Sequence, residues 1–334
     1  MKKRAAHECD AGSLFTWHAP LFAVADRRAF ARERRAGLEA WCAGQPSESF
    51  ERRAVEIVTS AVPPSPALCR AALEKLEAAE GRDQALRALL LQRFALSVLD
   101  PGGVRSGRRA RVFSPTDAYD AAAEAFAWCE AAGENDAVAR VPDVAVELGL
   151  TLVRAALVAE RAEAVDRPLA VVAELAPNVE ASHVRFHAWS SIAIARLALG
   201  NPDEALIPVN RAKILADRAG DLAGQWHAER IRAQALGMMG RERAEVAAHD
   251  EVARLAERVA DDLDSTPELR RDATISALRA RAHLLAHMRA DGRDRAAAHE
   301  IEAMRRRMAR ARAAGDADET VLAEFESLAL ADSL

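Results

Sequence analysis

The chain is poor in aromatic side chains, which make up 4% of its 334 residues, and Tyr119 is its only tyrosine. Sheets rely on β-branched and aromatic residues to cover their faces, so this scarcity argues against a β architecture. Lysine is equally sparse: Lys2, Lys3, Lys75 and Lys213 stand against 42 arginines, an excess that fits a GC-rich, bacterial coding background. The formal net charge of −5 implies no global attraction to nucleic-acid phosphate. No glycine is followed by lysine and no G-x-G occurs, which removes the common phosphate loops and dinucleotide fingerprints. Cys9, Cys42, Cys69 and Cys129 include no C-x-x-C pair, and a chain of this size needs no disulfide framework, so a reducing cytoplasm is expected. No run of about eighteen apolar residues is present to span a membrane. Residues 1–4 are basic like the start of an export signal, but His7, Glu8, Asp10, His18 and Pro20 break the apolar stretch that should follow, so export is not expected.

What the chain has in quantity is alanine, 78 residues of it, which favours closely packed helices. Residues 182–221 and 222–261 align at an offset of 40. The shift places His187 on His227, Ala188 on Ala228, Ala193 on Ala233, Gly200 on Gly240, Leu215 on Leu255 and Asp221 on Asp261. A fixed period of this size marks a stacked array of helix pairs. Each copy reads as helix, glycine turn, helix. Asn201, Pro202 and Glu204 are placed to cap and charge the start of the second helix of the first copy. The same rhythm predicts pairs at 136–160 with 163–176, at 267–290 with 293–313 turning at Gly292, and at 83–99 with 116–130, where Ser114 and Pro115 repeat the cap-then-proline start. Helical periodicity also covers 28–43, 48–60 and 66–80, and a last amphipathic stretch, 319–331, sets Val321, Leu322, Phe325 and Leu328 on one stripe. That stripe must cover either the last repeat or a partner.

The stretch Leu199-Gly-Asn-Pro-Asp-Glu-Ala-Leu206, followed by Ala212, resembles the turn and second helix of a tetratricopeptide repeat, with Gly200 in the turn, Ala205 at the helix crossing and Ala212 at the contact with the next unit. The resemblance is good over 182–221 and fair over 222–261. It departs from the family in its 40-residue period, in Arg196 near the place of the usual first-helix tyrosine, and in Asp217, where the closing proline is expected. The resemblance implies an all-α fold, a right-handed α-α superhelix of about five helix pairs. In that arrangement residues 1–27 form an irregular leading segment, 28–80 the N-terminal helices, 83–316 the repeats and 317–334 a capping helix. It further implies a concave groove lined by first helices. Residues thirteen, ten and six before each turn glycine give His187, Ser190 and Ile194, then His227, Arg230 and Gln234, then Arg279, Ala282 and Ala286. The polar members form a mostly basic stripe suited to an acidic or C-terminal carboxylate segment of a partner protein.

Chemistry finds little purchase. His183/His187 and His283/His287 sit at i, i+4 spacing, but neither intervening stretch supplies the glutamate or third ligand of a zinc site, so no metal and no other cofactor is expected. Arg243/His249, Arg281/His287 and Arg293/His299 have the Arg-x(4–6)-His spacing of an all-α, HEPN-like ribonuclease, and Asp294 after Arg293 strengthens the last pair. With this many arginines, however, chance alone produces as many matches. Arg105, Arg108, Arg109 and Arg111 in a glycine-rich loop, and Arg305 to Arg312 on a late helix, could meet phosphates, but neither place carries aromatics for base stacking. The segment Leu14-Phe-Thr-Trp-His18, the most aromatic in the chain, reads either as a strap over the first helices, which its apolar area favours, or as a short linear motif for a partner. The expected function is a non-catalytic scaffold or adaptor that holds a peptide or helix of a partner in its groove. The rivals are a ligand- or peptide-sensing regulatory module and the Arg293/His299 ribonuclease.

Overall fold

The computed structural model describes residues 57–58, 64–78, 84–99, 113–132, 141–180, 182–315 and 319–330. The leading aromatic segment, the reading of 28–56 and the basic loop with Arg105, Arg108, Arg109 and Arg111 lie outside the described residues. Twelve α-helices are bounded among the described residues, and no strand. They are α1 (Pro66–Ala78), α2 (Gln84–Leu99), α3 (Pro115–Ala132), α4 (Pro142–Val158), α5 (Asp166–Leu175), α6 (Ser182–Ala198), α7 (Pro202–Ala219), α8 (Leu222–Met238), α9 (Glu242–Asp261), α10 (Pro267–Ala290), α11 (Asp294–Ala314) and α12 (Glu319–Leu330). None is long and apolar enough to cross a membrane. Within each of its two compact units, consecutive helices pack on their neighbours, consistent with an α-solenoid.

The chain divides into two compact units at Leu199/Gly200. The glycine turn of the first repeat copy is therefore the place of division, and α6 and α7 belong to different units. In the first unit α1 to α5 pack in succession, and α6 packs on α4 and α5. Its core is built from Leu86, Leu90, Phe94, Phe126 and Leu148. Gly149 permits a close approach of helices there, because a Cβ would stand 2.7 Å from Val172 Cγ2 and 3.3 Å from Phe126 Cε2.

The second unit runs α7 to α12, each helix on the next, with α12 also touching α10. Leu322 and Phe325 of α12 pack with Leu278, Leu285, Met304 and Met308, so the C-terminal stripe covers the last helix pair of its own chain. Ala205 and Ala212 are fully buried, as small residues at close helix contacts should be.

The helix starts follow their chemistry. Ser114 Oγ accepts from Asp117 N at 3.3 Å while Asp117 Oδ2 accepts from Ser114 N at 2.7 Å, a reciprocal cap on α3. Thr266 caps α10 through Leu269 N at 3.2 Å, and Asp221 caps α8 through Gly224 N at 3.0 Å. Asn201 differs from expectation: it occupies the cap position of α7 but makes no side-chain cap bond. With Pro202 next, one of the N–H groups that a cap would satisfy does not exist. Gly200 and Gly240 turn with φ of +77° and +66°, and a Cβ on either would meet nothing within 4 Å among the described residues. Backbone angle, not space, selects glycine at both turns.

Candidate functional site

The predicted groove residues separate on the two units. On α6, His187 is exposed and its ring lies 3.5 Å from Ser191 Oγ, whereas Ser190 and Ile194 are both 0% exposed. On α8, His227 is 1% exposed, while Arg230 and Gln234 are half-buried. On α10, Arg279 and Ala286 are exposed and Ala282 is half-buried. Ser190, Ile194 and His227 are therefore packing residues, a correction to the groove lining read from the sequence. The three positions of each set fall at i, i+3 and i+7, one stripe about 60° wide, so their unequal burial is set by the helices packed against that stripe.

The remaining polar residues come together between α8 and α10. The Trp226 indole, buried on α8, donates through Nε1 to Ser276 Oγ of α10 at 3.0 Å. Arg230 lies over the Trp226 ring, its guanidinium carbon 5.6 Å from the centroid. Burial lowers the Arg230 guanidinium to about 10, with the Asp272 carboxylate opposing the shift and the Arg279 charge reinforcing it. The Asp272 carboxyl is raised by its own burial, against the pull of Arg230, Arg271 and Arg279. Three arginines thus act on Asp272, with Glu268 the acidic neighbour, so cationic charge is in excess there.

Next to it, Glu229 is 0% exposed and is held by Lys213 of α7 at 2.6 Å and by Arg232. Arg281 of α10 bridges Glu257 of α9 and Glu300 of α11, at 2.7 Å each. The arginine-rich part of α11 is largely engaged within the chain. Arg306 pairs with Glu302, Arg307 and Arg310 with Asp261, and Arg312 with Glu319 and Glu326. Of the three Arg–His pairs, Arg243, Arg293 and His299 are exposed, and Arg281 is committed to its two glutamates.

The structure also gathers histidines that the sequence kept apart. His283 Nε2 lies 3.0 Å from Glu245 Oε1 and 3.1 Å from His287 Nε2, and His287 Nδ1 lies 3.3 Å from Glu242 Oε1. The His249 ring lies against His283, with centroids 3.9 Å apart. Burial, with the neighbouring His283 and His287, lowers His249 to about 4. The sequence held a signal for this cluster: Glu245 and His249 stand at i, i+4 on α9, as His283 and His287 do on α10. It needed the contact between those helices to become legible.

No protein-family model and no curated protein matches the chain.

Proposed function

We propose that this chain is a non-catalytic, cytoplasmic interaction module, and that the α8–α10 face of its second unit grips an acidic peptide segment of a partner protein. The observation that carries this reading is Arg230, a half-buried cation stacked on Trp226 beside exposed Arg279, with Asp272 set against them. An arginine already partly stripped of water and held by an aromatic ring loses little freedom when it meets a carboxylate. The tetratricopeptide-like reading of 182–261 supports a groove-binding role through its left-handed glycine turns and its buried Ala205 and Ala212. Cys69 is a buried thiol beside Ser97 Oγ, in keeping with a reducing compartment.

Selection of the full-length protein against a random peptide library tests the reading. The wild type should enrich sequences rich in Asp and Glu or ending in a free carboxylate. For a selected peptide, Arg279→Ala should weaken binding about tenfold, the size of one charge-assisted hydrogen bond. Enrichment without acidic preference, or equal affinity in a folded Arg279→Ala variant, removes the assignment.

A further inference from the structure

Independently of the peptide-binding reading, we propose that Glu245 and His249 of α9, with His283 of α10, form a binding site for one divalent transition-metal ion of the zinc kind. One donor atom from each of Glu245, His249 and His283 lies within 4.8 Å of the other two. His283 Nε2 lies 3.0 Å from Glu245 Oε1. Two donors bound at about 2.0–2.1 Å to one tetrahedral zinc ion stand about 3.3–3.4 Å apart, so this gap is already close to the edge of such a site.

Three further features point toward a ligand. His249 Nδ1 is buried with no hydrogen-bond partner among the described residues. His287 is held by Glu242 at its Nδ1 and sets its Nε2 3.1 Å from His283 Nε2, a contact that positions the His283 ring. Gly237 at the end of α8 makes room for the Glu245 carboxylate, since a Cβ there would stand 2.7 Å from Oε1. Imidazole with one carboxylate suits zinc, and also copper or nickel, over calcium or magnesium, which take oxygen donors. Glu245 and His249 come from one helix and His283 from the other, so the ion would tie α9 to α10 through three protein donors, with water in the fourth tetrahedral position.

Metal-stripped full-length protein is titrated with Zn(II) against a chromophoric chelator, with thermal unfolding followed in parallel. The wild type should take up one ion per chain and melt at a higher temperature when loaded. His249→Ala with His283→Ala should abolish both effects, while His187→Ala, on α6, should leave them intact. Glu242→Gln touches the site only through His287 Nδ1 and should weaken binding about 10- to 100-fold. Uptake by the double variant, or none by the folded wild type, overturns the site and leaves a cluster that hydrogen-bonds only to itself. If the double variant does not fold, Glu242→Gln decides, because unchanged affinity there overturns the arrangement. Cobalt(II) gives a second readout: bands of a nitrogen–oxygen tetrahedron support the site, and a thiolate charge-transfer band assigns the metal to cysteine and overturns it.

Discussion

Replacing Lys213 and Arg232 together by methionine should cost about 3–5 kcal/mol of unfolding free energy, the usual penalty for leaving a buried charge without its partners. Glu229 sits wholly inside the second unit, and these two cations are the groups that hold it, one from α7 and one from its own helix. Burying a carboxylate removes its hydration, and only close opposite charge offsets that loss. Methionine keeps most of the aliphatic bulk of both side chains, so the change isolates charge from packing. Adding Glu229→Gln to the same protein should recover most of the lost stability, because a neutral amide has far less hydration to give up. Urea unfolding of wild type, double and triple variants measures this. If the triple variant is no more stable than the double, the loss comes from packing and the electrostatic account fails.

The second large effect is expected at Trp226. The indole is 3% exposed, and its N–H is bonded to Ser276 across to α10. Trp226→Ala should cost about 3–5 kcal/mol through lost apolar burial and the cavity it leaves. Ser276→Ala should cost less, about 1–3 kcal/mol, since it strands one buried donor. The same pair of variants separates stability from binding. Arg230 loses its aromatic support without Trp226, so peptide affinity should fall with stability in Trp226→Ala, while Ser276→Ala should lower stability and leave affinity nearly unchanged. Thermal unfolding and peptide titration on both variants check this pattern. Equal affinity in wild type and Trp226→Ala would mean that the ring does not support the arginine.

Helix bounds were legible in the sequence where chemistry marks them. The reading of 267–290 coincides with α10, because Thr266 caps it and Pro267 presets its first turn. The stripe through Leu322 and Phe325 was visible, but what it covers needed the contacts of α12 with α10 and α11. The groove fared worse. His227 and Arg230 lie three positions apart on one helix, yet one is sealed and the other half-open, a difference set by neighbouring helices that a single-helix offset does not contain. The histidine cluster was hidden for the same reason. Its donors come from two helices whose pairing is tertiary, and each half alone looks like an ordinary i, i+4 pair on a helix surface. Arginine abundance likewise suggested phosphate contacts on α11, whereas Arg307 and Arg310 both turn back to Asp261.

The turns at Gly200 and Gly240 have one more consequence. Their positive φ is set against open space, so they discriminate chirality and not bulk. An L-alanine at Gly240 would fit sterically and still resist the angle, at about 1–2 kcal/mol. A D-alanine favours that angle and finds the same room. A semisynthetic chain with D-alanine at Gly240 would thus keep its turn while its unfolded state loses freedom, and the mirror-image residue would stabilise where the natural one strains.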